Sequence, residues 1–385
     1  MTSFSQVLPG SLPILCNQFA TSKSKIILVE NANDLGGIAQ QFQLFGYKNI
    51  LILPHRDNKL YELTAPSAAN RVQRLRTIHA LINHKNDGQI LITTPRALGE
   101  FYIQPEELFA DAFSLHKGDE IDMQAVIAKL VSIGYRHSNT AIELGEFTKR
   151  GSIIDVIAHE NHGYRIDFFG NKIESIRIFQ VGTQISEGRL DTIELIPINE
   201  YILSDENIDT FTHNFIQAHP NQKHALLDAV KAGMEYGGVQ NYLPYFSRKP
   251  LKIIADYLPK DCVIFADNAI FQSYEKEFEQ VDIRYHMRFN CSERDGDPIP
   301  LPTQELILSS DAVEEKLADY NCQFYSSFQE PDTKKIAKAH HSIYKQAVLK
   351  KNDYLQEFKE HLADFKNKIV LCCHSDAASN KISNI

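Results

Sequence analysis

The sequence predicts an α/β fold: a parallel-sheet domain interrupted by a small α+β domain, followed by the start of a further α/β domain. Three features predict it. Short, uninterrupted apolar runs alternate with amphipathic helical windows at the start of the chain, as expected of strands buried on both faces. From near Leu115, period-two alternation punctuated by turn residues replaces that pattern. Far downstream, the run Cys262 to Asp267 restores the first pattern and ends on an acid. These changes divide the chain into 1–114 (first part of the parallel-sheet domain), 115–204 (the small domain), 205–335 (second part of the parallel-sheet domain) and 336–385 (a linker and the truncated start of a third domain).

Taken in order, Lys25 to Val29, Asn49 to Pro54 and Gln89 to Thr94 are apolar runs of strand length. Between the last two, Val72, Leu75, Ile78, Leu81 and Ile82 recur at helical spacing over Ser67 to His84. Strand, helix, strand in this order implies right-handed crossovers and one parallel sheet. A helical window, Met123 to Gly134, then precedes strand-like segments at Gly145 to Ala158, Tyr164 to Phe169, Ile173 to Val181 and Thr192 to Pro197. These read as one antiparallel sheet with turns at His162-Gly163 and Gly170-Asn171. Helices return from about Asn207. Beyond a polar, Lys-rich stretch (Pro331 to Lys351), a helix around Tyr354 to Phe365 and a strand at Lys368 to Cys372 cannot close a core of their own. The 385 residues are therefore read as a fragment or an unfinished coding region.

Composition bounds the function. At 385 residues two or three domains are expected. A chain 43% hydrophobic and 23% charged is not disordered. The net charge of -9 excludes a chain that grips nucleic acid over its whole surface. The six cysteines form no CxxC pair and read as buried, reduced thiols. Adjacent Cys372 and Cys373, beside His374, point to opposite strand faces and make no site. The pairs His159/His162 and His340/His341 lack a third ligand, so no metal and no cofactor are expected. Arg71, Arg74 and Arg76 read as a solvated helix face rather than a DNA contact. With no apolar run of bilayer length, the expected location is cytoplasmic.

The most specific segment is Thr148-Lys149-Arg150-Gly151-Ser152-Ile153-Ile154-Asp155-Val156, followed by Tyr164-Arg165-Ile166-Asp167-Phe168-Phe169-Gly170 and Ile173-Glu174-Ser175-Ile176-Arg177-Ile178-Phe179. It resembles the second domain of the UvrB and Mfd families, as do Gly134-Tyr135-Arg136 before it and Leu195-Ile196-Pro197 after it. The resemblance covers nearly the whole chain, weakly in the first domain and strongly in the second. It implies that the parallel-sheet domain is a degenerate helicase-like (RecA-like) platform and the insert a UvrB-type interaction domain.

What is missing separates the two families. Where a UvrB has its Gly-Lys-Thr phosphate loop, this chain has Leu8-Pro9-Gly10-Ser11-Leu12-Pro13. No Lys follows Gly10 to neutralise phosphate, and Pro13 removes an amide donor. At the later strand, Ala266-Asp267-Asn268 stands where such an ATPase places Asp-Glu. Gly10, Ser11, Asp267 and Asn268 thus mark a degenerate nucleotide site. Only about 20 residues separate Leu53 from the helix at Arg71, too few for the aromatic hairpin with which a UvrB enters DNA. This pattern resembles the amino-terminal region of Mfd, the transcription-repair coupling factor family, and implies a segment that is not itself an enzyme within a family of ATP-dependent DNA translocases.

Strand alternation puts Tyr164, Ile166 and Phe168 on one face and Arg165, Asp167 and Phe169 on the other. A cation, an anion and a large aromatic side by side are typical of interface anchors. Alternation alone leaves Phe169 open between an anchor and an incidental exposed aromatic. The resemblance implies the anchor, with UvrA as partner. Arg150 and Arg177, on neighbouring strands, can approach Arg165 by cross-strand pairing, or be balanced by Glu174 or Asp155. Gly151 is compatible with a bulge that re-aims Arg150, which the sequence leaves open.

Three functions follow. The preferred one is a UvrB-mimicking docking module that recruits UvrA for nucleotide excision repair at stalled RNA polymerase, with RNA polymerase and DNA contacted through downstream domains. The alternatives are an active UvrB-like damage-verifying ATPase, and an autoinhibitory clamp in which the same face packs on a carboxy-terminal half. Little DNA affinity is expected of the segment itself.

Overall fold

The computed structural model describes residues 3–326, except 6, 8–9, 20–23, 84–87, 221–223 and 296–297, together with 334–335 and 380. The helix, strand and cysteine pair expected within 336–385, and His340/His341, lie outside the described residues.

Seven strands form one sheet in the order Lys334–Lys335, Ser3–Ser5, Asn321–Tyr325, Val263–Asp267, Lys25–Leu28, Ile90–Thr93, Ile50–Leu53. Every pairing in it is parallel. The apolar runs are continuous because both faces are covered. Ile26, Leu28, Leu91, Ile264 and Ala266 share one core with helices Ala68–Asn83, Asp205–Ala218 and Ile270–Asp295. Ile27, Ile90, Ile92, Val263 and Phe265 share the other with helices Leu12–Asn17 and Leu35–Leu44. This platform is interrupted, as the sequence predicts, and resumes at Val263–Asp267.

The insert holds a six-stranded sheet in the order Ser186–Leu190, Lys172–Gln180, His162–Phe169, Ile153–Val156, Glu146–Arg150, Arg136–His137. Only the last pair is parallel; the others are antiparallel. Its inner face, with Phe147, Ile154, Ile166, Phe168, Ile173 and Ile176, packs on Val126 and Leu130 of helix Met123–Ser132. Strand Phe113–His116, which straddles the division at 114/115, pairs with Thr192–Leu195. The latter therefore stands outside the six-stranded sheet, contrary to the expectation of a single antiparallel sheet.

Other expectations need correction. Gly151 is no bulge: Arg150 pairs with Ile153 across a tight hairpin turn, where Gly151 takes φ of 60°. Gly170-Asn171 is a similar turn between Phe169 and Lys172, as expected. His162-Gly163 lies inside a strand, paired with Gln180 and Phe179. The bulges are elsewhere, between Asp167 and Phe168 and between Ile178 and Phe179. Strand Ser186–Leu190 was not foreseen, because Ser-Glu-Gly-Arg-Leu lacks apolar alternation. Cys291 is exposed rather than buried.

The largest correction concerns helix Ala68–Asn83. Arg74 is completely buried. Its Nη1 lies 2.9 Å from Glu100 and its Nε 2.5 Å from Glu200. Arg56 also reaches Glu200, at 2.5 Å, and Arg96 reaches Glu100 at 3.1 Å. The Tyr102 ring lies 4.9 Å from the Arg74 guanidinium. Glu200 sits where the chain returns from the insert, so this buried network ties the crossing to the platform. Arg76 donates to the Ala158 carbonyl of the small domain at 3.2 Å, and Arg71 to the Pro66 carbonyl at 2.9 Å. None of the three is a freely solvated surface charge.

Candidate docking surface

The outer face of the six-stranded sheet carries the polar residues that the inner-face core excludes. Its central row follows from backbone register: Thr148 opposite Asp155, Asp155 opposite Arg165, Arg165 opposite Arg177, and Arg177 opposite Arg189. The next row runs Arg150, Ile153, Asp167, Ser175. Beyond it Phe169 opposes Lys172 at the hairpin end. Arg150, Arg165, Asp167, Phe169 and Arg177 are thus brought onto one face.

Each group there is held differently. Arg165 makes a two-pronged pair with Asp155, Nε to Oδ1 at 2.7 Å and Nη2 to Oδ2 at 2.8 Å. Its guanidinium sits over the Phe179 ring, 4.8 Å from the centroid. The Asp155 hydrogen bonds push Arg165 above its ordinary pKa, so it stays charged. Asp155 is buried while Arg165 remains 18% exposed at its side chain. The strand thus fixes the cation and leaves one edge of the fork outward, its Nη1 making only a 3.5 Å contact with the Gln184 carbonyl. Gly163 permits this stack, since a Cβ there would collide with the Phe179 ring.

Asp167 accepts from Arg177 Nη2 and from Ser175 Oγ, both at 2.6 Å. Arg150 is exposed and donates only to the Thr140 hydroxyl, at 3.3 Å. Phe169 is 79% exposed, the most exposed large apolar side chain among the described residues. Its neighbour Phe168 is 4% exposed, as alternation predicts. Sequence reasoning overlooked Phe179 and Gly163, whose small-against-large pairing across the strands was the available signal.

The other candidate residues lie at the carboxyl ends of the parallel strands. Gly10 and Asp267 line a cleft of about 460 Å³ together with Glu30, Asp34, Gly37, Gln41 and Tyr325. Gly10 takes φ of 88° and donates its amide to Gln41 Oε1 at 3.2 Å. Ser11 is buried at the head of helix Leu12–Asn17, which is only 6 residues long and carries Pro13 in its first turn. Asp267 Oδ1 accepts from the Ala269 amide at 2.9 Å, and Asn268 is exposed beyond the strand. Among the described residues three carboxylates line the cleft and no Lys or Arg does. No trio of His, Cys, Asp or Glu is placed to hold a metal ion among the described residues. No helix among them is long and apolar enough to cross a membrane.

Comparison with known proteins bears on the same domain. Residues 113–201 match the UvrB interaction domain family. The transcription-repair-coupling factor of Rickettsia prowazekii (strain Madrid E) is 27% identical over 367 residues, 94% of this chain and 32% of that protein. That of Rickettsia conorii (strain ATCC VR-613 / Malish 7) is 31% identical over 223 residues, 57% of this chain and 20% of that protein. That of Staphylococcus aureus (strain MRSA252) is 26% identical over 281 residues, 67% of this chain and 23% of that protein. The chain spans about a third or less of the length of these relatives. The chain thus contains a match to the UvrB interaction domain and, along most of its length, is similar to transcription-repair-coupling factors.

Proposed function

We propose that the chain is a docking module: its small domain mimics UvrB and recruits UvrA to stalled transcription complexes. The observation that carries this is Phe169, 79% exposed at the hairpin end of the strand whose same face carries the fixed Arg165 fork. An aromatic held in water at a hairpin end, its backbone paired with Lys172, loses little entropy on binding, which suits an anchor. Phe169→Ala is expected to melt with the parent and to bind purified UvrA about thirtyfold more weakly, since anchors of this kind cost about 2 kcal/mol or more on truncation. Isothermal calorimetry reads the affinity. Unchanged affinity would remove the site.

The parallel-sheet platform is read as a degenerate helicase-like, RecA-type domain, and the proposed location is the cytoplasm. Support for degeneracy comes from the cleft, whose Glu30, Asp34 and Asp267 repel polyphosphate where a phosphate loop needs a cation. No saturable binding of a fluorescent ATP analogue is expected at micromolar concentrations. Saturable micromolar binding that disappears when Gly10 is substituted would restore the ATPase reading. RNA polymerase and DNA are proposed partners of the longer family chain.

A further inference from the structure

The outer face of the six-stranded sheet is expected to be polar, because the inner face already holds the core. At one end it is not. Ala141, Ile157 and Phe179 are buried together there, with Leu144 and Val181 packed around them, as a small core distinct from the inner one. Ile157 follows strand Ile153–Val156, and Phe179 lies opposite Gly163. A Cβ at Gly163 would collide with both the Phe179 ring and the Ile157 side chain, so the glycine is what lets the ring lie across the strand. Arg165 comes next along the same face, its guanidinium 4.8 Å from the ring centroid.

Ala141 belongs to the loop 138–145, which joins strand Arg136–His137 to strand Glu146–Arg150. The loop is pinned at several points. One carboxylate oxygen of Glu146 accepts the Ile142 and Glu143 amides, each at 3.0 Å. Thr148, on the outer face, donates its hydroxyl to the Asn139 carbonyl at 3.2 Å. The Gly145 amide donates to the Ile157 carbonyl at 2.9 Å. Ordering a loop over a face that could stay open to water costs conformational entropy. What the ordered loop covers is the ring on which Arg165 lies.

We propose that this outer core positions the docking arginine: Glu146 fixes the loop, the loop fixes Phe179 through Ala141, and Phe179 with Asp155 holds Arg165 in the pose that its partner meets. An arginine already held gives up less rotamer freedom when it is bound. Asp155 occupies the Nε side of the fork, so the donors left for the partner lie at the Nη end. Phe179 and Glu146 are positioning residues, and neither needs to touch the partner. The inference rests on the UvrA-docking reading and adds to it how one docking residue is set.

The test uses the full 385-residue chain with isotope-labelled arginine, and purified UvrA. By nuclear magnetic resonance the Arg165 Nε–H, assigned by its loss in Arg165→Ala, is expected as a slowly exchanging signal shifted by the Phe179 ring. Phe179→Leu and Glu146→Ala should each move it toward the position of a free arginine, and Phe169→Ala should not. Binding of UvrA should weaken about tenfold in Phe179→Leu and about threefold in Glu146→Ala. Neither change should weaken it more than about twofold further once Arg165→Ala is present, since both act through that residue. Glu146→Ala removes only bonds to an exposed loop and should melt with the parent, so it decides the matter if Phe179→Leu unfolds. A loss of affinity that persists in full beside Arg165→Ala overturns the proposal, because the loop would then act through Arg150, which bonds the Thr140 hydroxyl, or meet UvrA itself. If Phe169→Ala weakens binding while Glu146→Ala keeps the parent's signal and affinity, the positioning is wrong and the docking reading stands. If Phe169→Ala and Arg165→Ala both bind as the parent does, the docking reading fails and this inference with it.

Discussion

Glu100→Ala is expected to destabilise the platform by about 3–5 kcal/mol, because it strips three buried arginines of a shared counter-ion. Glu100 is completely buried, with Arg74 at 2.9 Å, Arg96 at 3.1 Å and Arg56 at 3.7 Å. Burial alone would raise its pKa, but Arg74 first, then Arg56 and Arg96, hold it down at about 2. Stability linked to a depressed carboxylate is fully present above its ordinary value near 4.5 and is lost as pH falls through about 2. Urea unfolding at pH 7 and pH 3 should therefore show a large gap between parent and variant at pH 7 and a smaller one at pH 3. Against a typical total of about 5–15 kcal/mol, a loss of this size is about a fifth or more of the fold's stability. A variant as stable as the parent at pH 7 would mean that the network relaxes or admits water, and that Glu200 alone suffices for Arg56 and Arg74.

The same network shows where sequence reading ran out. Val72, Leu75 and Ile78 announce helix Ala68–Asn83 by their spacing, and the strands announce themselves by uninterrupted apolar runs, since burial on both faces leaves no polar position. Arg74 sits on that helix at a position that pattern treats as polar and therefore exposed. Its burial depends on Glu100 and Glu200, 26 and 126 residues downstream. Charge compensation over such separations leaves no local trace. The two faces of the strand were legible for the opposite reason: alternation in Tyr164 to Phe169 is a local property of one strand, and it put Phe168 inward and Phe169 outward. Alternation could not give the partners within the face. Asp155 was one of two candidates to balance an arginine, and only register shows that it faces Arg165 while Asp167 takes Arg177. Ser186–Leu190 escaped notice because an edge strand needs few apolar side chains to stay in place once its neighbour is formed.

Phe168→Ala is expected to cost about 3–5 kcal/mol, the usual range for emptying a buried phenylalanine site. Phe168 packs in the core formed by Val126, Leu130, Ile166 and Ile173, and its amide donates to the Ser152 carbonyl at 2.8 Å. The bulge between Asp167 and Phe168 makes the position less able to collapse, because the pairing resumes at Ile173 and fixes the ring's place. For a domain of roughly 100 residues, each kcal/mol moves the midpoint by about 4–8 °C, so thermal melts of Phe168→Ala should fall on the order of 15 °C or more. Binding of UvrA, the proposed partner, should then be lost at temperatures where the small domain is unfolded and recover on cooling. Phe169→Ala, one residue along and facing the other way, should do the reverse: melt with the parent and bind weakly at every temperature. Calorimetry run beside melts of both variants separates a fold defect from a contact defect. If Phe168→Ala melts within a degree or two of the parent, the inner face does not depend on this ring, and the division of the strand into a core side and a docking side loses its energetic basis.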